Sequence, residues 1–482
     1  MLGGVPSPLT DRLRAGFATI RAELEIVTEH PADAAREAAA RAQAPTAPLA
    51  GVELVGADVR ADRRDLELVT LDPAGSTDLD QAFALHRDGD GFVLHYAIAD
   101  VAAHVVPGGA IDRVAHARGQ TLYAPDGREG LHPPALAEDA GSLLPGRDRL
   151  AVLWSLTIDG RGELAGTAVE RAVVSSTAQL DYAGAQAALD RGKAHEQLLL
   201  LREAGALLRA AQQRRGAIEL PEPAQELTSD GADGWTLRWE PRHPIEADNA
   251  QLSLLCGHAA ATLMLGAGTG LLRTLPPATP DAHFRLRAAA HALRIAWPED
   301  QPLSGLMPTL DGTDPAHLAF LDECRALLRG ADYTPFDGAP PPLREHAAMG
   351  LAYAHVTAPL RRLADRYAAE CALAAHHGVP VPGWARDALT AIPDEMRAST
   401  RLAGTLHRAC IDLSEAVLLE HRVGERFPAA VVDVDDRGAD VRIQEPPILA
   451  RCTGDGLRAG ERQEVVLTEA DPATRVVRFA AG

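Results

Sequence analysis

Near the start of the chain, Leu13, Phe17, Ile20, Leu24 and Val27 recur three or four positions apart behind Thr10, a residue that can cap a helix. That spacing predicts one amphipathic helix. Pro31 can open a second, alanine-rich helix running to about Ala44, and the Ala/Pro/Gly run over residues 44–51 reads as a linker. Beyond it the pattern changes to short apolar runs bounded by Gly and Asp: residues 66–71, 92–98 and 150–158 read as buried strands. Helical patterns follow over residues 193–215, 246–266, 282–295, 343–355 and 361–377. Short strands return over 427–434, 439–443 and 464–467, spaced as in a small β-barrel. Strands grouped apart from helices predict an α+β fold rather than an alternating one.

Length and composition narrow the class. A chain of 482 residues implies about two to four domains, and no internal repeat at solenoid periods is visible. Three are expected: a small helical domain over 1–50, for which a helix-turn-helix is one form, a main domain over 51–423, and a barrel over 424–482. No stretch reaches the roughly 18 unbroken apolar residues of a membrane span, and the first residues lack a signal-peptide pattern. Five scattered cysteines without a Cys-x-x-Cys pair point to a reduced, cytoplasmic setting and away from structural zinc. The formal charge of −20 argues against a general nucleic-acid coat protein, yet leaves room for a locally basic channel. Lys193 is the single lysine; the other basic residues are arginines, whose fork can hold phosphate in a bidentate manner.

The densest chemistry lies in Leu71-Asp72-Pro73-Ala74-Gly75-Ser76-Thr77-Asp78-Leu79-Asp80-Gln81. Three carboxylates within nine positions repel one another unless a cation neutralises them. Hard oxygen donors suit Mg²⁺ or Mn²⁺. A structural calcium loop is the rival reading, weakened by the lack of a closing bidentate glutamate.

The acidic run, with Arg60-Ala61-Asp62-Arg63-Arg64-Asp65-Leu66 before it, resembles the catalytic (RNB-type) domain of the ribonuclease II family. Further stations arrive in that family's order: Tyr96-Ala97-Ile98-Ala99-Asp100-Val101, then Arg118-Gly119-Gln120-Thr121-Leu122-Tyr123-Ala124-Pro125, then Arg215-Gly216-Ala217-Ile218. Tyr353-Ala354-His355-Val356-Thr357-Ala358-Pro359-Leu360-Arg361-Arg362-Leu363-Ala364-Asp365 is similar to its Tyr-x-x-x-Thr-Ser-Pro-Ile-Arg-Arg-Tyr-x-Asp signature. The likeness covers roughly residues 55–423, and the C-terminal segment is similar to the family's OB-type RNA-binding barrel. The resemblance implies a processive 3′→5′ exoribonuclease that hydrolyses single-stranded RNA to nucleoside 5′-monophosphates with Mg²⁺, or Mn²⁺ in its place. It implies Asp72, Asp78 and Asp80 as metal ligands, Asp80 and Arg361 as catalytic, and Tyr123, Arg362 and Thr357 as RNA contacts. Single-stranded 3′ ends would be the partner, with no membrane and a monomeric chain.

Several residues keep two readings. Arg362 is a second phosphate ligand or the structural partner of Asp365. Tyr123 stacks on the terminal base or fills the core. Arg12, Arg14 and Arg21 form a solvated helix face or touch RNA. His355, His376 and His377 read as core or surface histidines, Asp100 and His104 as supports of the sheet, and residues 297–315 as a surface excursion. Three departures stand out. Gln81 replaces the family's usual fourth aspartate, so altered metal affinity, or an RNA-binding member weakened in catalysis, is the alternative reading. Ala358 replaces the usual serine. The fifty-odd N-terminal residues cannot encode the two cold-shock barrels of the type enzyme, so tolerance of structured RNA is expected.

Overall fold

The strand runs around the acidic stretch assemble into one six-stranded mixed sheet. The computed structural model describes residues 8–220, 224–229, 235–240 and 242–482. Residues 1–7, on which the signal-peptide reading rests, lie outside them. The main sheet contains β1 (Ala61–Asp62), β2 (Leu68–Asp72), β3 (Gln81–Asp88) and β4 (Gly91–Ala99), then, after a small hairpin of β5 (Leu122–Ala124) and β6 (Gly127–Glu129), β7 (Asp148–Ile158) and β8 (Leu164–Asp181). Their order is β1-β8-β2-β3-β4-β7. The 18-residue β8 pairs with β7 over its first part and runs parallel to β2 over its last, so the sheet curls back on itself.

Both faces of this sheet are covered, which explains the unbroken apolar runs of β4 and β7. The helices Glu196–Arg214, Pro244–Ala267 and Leu363–His377 share the largest core with Phe83, Tyr96 and Trp154. Among the described residues only Pro244–Ala267 is long and apolar enough to cross a membrane by length and composition; here it packs Leu252, Cys256 and Ala260 into that core. Its Gly257 admits a close neighbour, because a Cβ there would lie 2.1 Å from the Tyr353 ring.

A second core joins the ends of the chain. Leu13, Phe17 and Ile20 of the helix Pro8–Glu23 pack with the 28-residue helix Ile392–Leu419, with Trp235 and Leu237, and with the interior of the C-terminal barrel. Trp235 and Leu237 belong to a hairpin of β9 (Ala224–Ser229) and β10 (Trp235–Glu240). After a further pair, β11 (Thr269–Thr274) with β12 (Asp332–Asp337), come β13 (Arg426–Asp435), β14 (Gly438–Ile443), β15 (Ile448–Thr453), β16 (Arg462–Asp471) and β17 (Val476–Ala481). These last five close into a barrel in the order β13-β14-β15-β17-β16, consistent with an OB fold. The α+β class with a helical N-terminal part and an OB-type barrel is therefore present.

Three expectations change. Residues 343–355 are not helical. Gly350 turns at φ 64°, and the carbonyl of Tyr353 accepts the Arg273 N–H of β11 at 2.8 Å, so the backbone bonds are made outside a helix. The first helix ends at Glu23, with Glu25 at φ 54°, leaving Val27 68% exposed. Residues 392–419, to which the sequence pattern assigns no element, form the longest helix of the described chain. Arg12 and Arg21 do not form a free basic face: Arg12 pairs with Glu420, and Arg21 with Asp126 and Glu129 at 2.7 and 2.9 Å.

Candidate active site

The acidic run lies between two strand ends. Asp72 is the last residue of β2 and Gln81 the first of β3. Leu79 is fully buried, its N–H bonded to Ser142 Oγ at 2.9 Å and its carbonyl to the Leu143 N–H at 3.0 Å. Alternate residues of an extended segment share a side, so anchoring Leu79 presents Asp78 and Asp80 together. Both line a cavity of about 610 Å³ with Asp72, Gln81, Tyr123 and Arg361.

The arginine signature reaches the same cavity from a loop before the helix Leu363–His377. The Leu360 N–H donates to Asp80 Oδ1 at 2.7 Å, and Arg361 Nε to Asp80 Oδ2 at 3.2 Å. Two elements 280 residues apart in the chain thus meet on one carboxylate. The loop is zipped to the Arg-Gly element: the Thr121 N–H bonds the Arg361 carbonyl and the Leu363 N–H the Gly119 carbonyl, each at 2.9 Å. Gly119 is required there. It sits at φ 69°, and a Cβ would lie 2.6 Å from Ser399 Oγ.

Arg362 turns the other way. It donates to Asp365 at 2.5 and 2.8 Å, and Asp365 also accepts the Ala358 N–H at 2.7 Å. The structure thus shows the structural pairing of Arg362. Its side chain also borders a second cavity of about 290 Å³, which shares Tyr123 and Arg361 with the first. Ala358 is buried and acts through its backbone, so the missing serine hydroxyl leaves that bond intact. Thr357, expected at the RNA, is buried and lines neither cavity. Tyr123 is 51% exposed, projecting from β5 at the boundary between the cavities rather than filling a core. His355 is half-buried and bonded to the Tyr333 hydroxyl at 2.7 Å.

Electrostatics distinguish the carboxylates. Burial pushes the Asp72 and Asp80 carboxyls up to about 7 each; Asp78 adds to the rise and Arg361 opposes it. Asp72 Oδ2 is buried without a hydrogen-bond partner. An orphaned carboxylate oxygen beside two more acids suits a hard divalent cation. Among the described residues no group of three or more His, Cys, Asp or Glu side chains is, as it stands, placed to hold a metal ion. Asp78 is instead paired with Arg128. Mg²⁺ tolerates such a partial set, since it commonly keeps several waters and takes one or two carboxylates. By donor chemistry Asp72 and Asp80, with Asp78 as a third, are the side chains that would hold such an ion.

The sequence reading missed two arginines of the site. Arg128 of β6 and Arg242 both line the cavity, and neither sits in a recognisable motif. Gln81 does not offer its oxygen freely: it accepts from the Tyr96 hydroxyl and from Ser253 Oγ, the latter at 3.1 Å. Sequence gives no signal for that polar cluster, because its members come from two strands and a distant helix.

Residues 60–375 match the model of the RNB domain, and residues 425–482 that of the RNase II-type exonuclease C-terminal S1 domain. The exosome complex exonuclease RRP44 homolog A of Arabidopsis thaliana is 28% identical over 404 residues, covering 80% of this chain and 43% of that protein. This chain therefore spans less than half the length of that relative. Mycoplasma genitalium RNase R, solved with ribose-methylated single-stranded RNA, superposes with a TM-score of 0.85 at 20% identity, over 98% of this chain and 78% of that one. Yeast Ssd1, described as a pseudonuclease, superposes with a TM-score of 0.72 at 16% identity, over 96% and 58%. With the RNB model matched over well more than half of its length, around a cavity where carboxylates and signature arginine meet, the chain belongs to the RNB-domain family and carries the RNase II-type C-terminal S1 domain.

Proposed function

We propose that this chain is a processive 3′→5′ exoribonuclease hydrolysing single-stranded RNA to nucleoside 5′-monophosphates with Mg²⁺, or Mn²⁺ in its place. The observation that carries the reading is the convergence of Asp80, Arg361 and Tyr123 on one cavity with Asp72 and Asp78. Each has a distinct task. Arg361, its side chain 47% exposed despite its bond to Asp80, can swing its fork onto a phosphate and stabilise charge developing there. Tyr123 offers a base-stacking face, worth about 1–3 kcal/mol per base and indifferent to sequence. Asp72, Asp80 and Asp78 would hold the cation, which supplies Lewis-acid polarisation of a phosphoryl oxygen.

Charge balance supports that assignment. Four carboxylates, Asp72, Asp78, Asp80 and Glu246, face three guanidiniums, Arg128, Arg242 and Arg361. With every acid ionised the lining is net negative and repels phosphate; one divalent cation reverses the sign. The barrel is the proposed upstream grip on the strand. Free, buried thiols at all five cysteines support a reducing, cytoplasmic setting, and we read the chain as a monomer. Tolerance of structured RNA belongs to the same proposal.

The second reading, an RNA-binding member without turnover, is favoured by the neutral, already bonded Gln81. A time course on single-stranded RNA labelled at its 5′ end separates the two. Shortening from the 3′ end with release of mononucleotides is expected; an RNA bound but unchanged would establish the second reading.

Cation dependence should vary with pH in a definite direction. Asp72 and Asp80, raised to about 7, carry their protons below that value, so a cation there must displace them. The Mg²⁺ concentration for half-maximal cleavage is therefore expected to be about tenfold or more higher at pH 6 than at pH 8. Equal requirements at both pH values would contradict the assignment of these carboxylates.

A further inference from the structure

Arg128 stands where the sequence gives no reason to look. It lies on β6, in the hairpin that carries Tyr123, and Arg21 of the first helix fixes that hairpin through Asp126 and Glu129. From this position the Arg128 guanidinium donates to Asp78 Oδ1 and to Thr77 Oγ1, and pairs with Glu138 at 2.9 Å. Its side chain is one-quarter exposed, and it lines the same cavity as the three aspartates. A guanidinium therefore occupies the electrostatic role toward Asp78 that a divalent cation would otherwise fill. Arg128 pairs with neither Asp72 nor Asp80, and as they stand, with Asp78 engaged by Arg128, the three acids are not placed to hold a metal ion.

We propose that Arg128 is a positioning residue that competes with the divalent cation for Asp78, and so sets the cation concentration at which the metal site assembles. The inference rests on the exoribonuclease reading above and adds a residue to it. Asp78 cannot give its Oδ1 fully to Arg128 and to a metal at once. Glu138 provides the alternative anchor: when a cation draws Asp78 inward, the guanidinium keeps one ion pair and does not have to leave the cavity. Released from Asp78, it stays beside Tyr123 and Arg361, where a phosphate would sit.

Removing the guanidinium leaves Asp78 uncompensated and strengthens the attraction for a dication. Removing Glu138 leaves Arg128 to Asp78 alone and has the opposite effect. The test is Mn²⁺ binding to the full RNA-free chain at pH 8, followed by electron paramagnetic resonance, with thermal unfolding confirming that each variant folds. Arg128→Gln is expected to bind Mn²⁺ about tenfold more tightly than wild type. Glu138→Gln is expected to bind it several-fold more weakly, and that weakening should vanish in the Arg128→Gln/Glu138→Gln double variant. Unchanged or weaker Mn²⁺ binding in Arg128→Gln overturns the proposal, as does a Glu138→Gln effect that persists in the double variant. Wild type that degrades RNA and binds Mn²⁺ while Arg128→Gln matches it refutes this inference alone. Wild type that binds no Mn²⁺ refutes the metal reading and this inference together.

Discussion

Asp80→Asn is expected to lower the rate of RNA shortening by about a thousandfold or more while leaving RNA binding within a few-fold of wild type. Asparagine keeps a carbonyl oxygen that can accept the Leu360 N–H, so the loop holds its course. It removes the charge facing Arg361 and one of the carboxylates proposed for the cation. The substitution should not destabilise the fold. Burial already pushes the Asp80 carboxyl up to about 7, so an ionised group there is a strain on the folded state that the neutral amide relieves. A thermal midpoint equal to or above that of wild type, beside lost cleavage, is the expected pair of results. Cleavage retained within tenfold would remove Asp80 from the centre of the mechanism.

The largest effect on stability is expected at a site that touches no substrate. Arg171, in the middle of β8, has a wholly buried side chain that bonds Asp100 and Glu370 and donates through Nε to the Val55 carbonyl at 2.8 Å. Glu370 in turn accepts the Val55 N–H at 2.7 Å, and Arg60 supports Asp100 at 2.9 Å. This network ties the sheet to the helix that follows the Arg361 loop. Desolvation works against ionisation of Asp100, but Arg171 and Arg60 overcome it and hold the carboxyl below its ordinary range. Arg171→Met would leave two carboxylates buried with a single arginine between them, costing about 3–5 kcal/mol.

The sign of the pH dependence follows. Without Arg171, both acids ionise less readily in the folded than in the unfolded chain. The folded variant then binds more protons, and its stability falls as pH rises above the ordinary carboxylate range. The deficit measured by urea unfolding should therefore be smaller at pH 5 than at pH 8. A loss below about 1 kcal/mol at both values would show that the network contributes little.

Much of this was readable in the sequence because it depends on local pattern. The strands around residues 66–71, 92–98 and 150–158 announce themselves by continuous apolar runs, as expected of strands covered on both faces. The acidic run and the Arg361 signature are short, dense motifs. Their meeting across 280 residues could be inferred from family likeness but not from either motif alone. What stayed hidden depends on distant partners. Arg128 looks like a surface residue in a Gly-rich turn until β5 and β6 fold it against Asp78. Gln81 looks like a spare ligand until Tyr96 and Ser253 are seen on its oxygen.

Residues 343–355 misled for the converse reason. Their helical spacing of apolar residues is real, but tertiary pairing of Tyr353 with β11 and close packing on Gly257 decide the conformation. The helix Ile392–Leu419 was legible and overlooked. Met396, Leu406, Cys410, Leu413 and Val417 are buried along it at helical intervals.

That helix has one more implication. Of its length of about 42 Å, about 15 Å separates Ala403 and His407, at the cavity boundary, from Leu413 and Val417 in the barrel core. If RNA is held at both ends as proposed, such a spacer acts as a gauge. A strand too short to reach the barrel while its last base rests at Tyr123 is held at one point only. Short remnants would then fall away because of the frame's dimensions, whatever their letters.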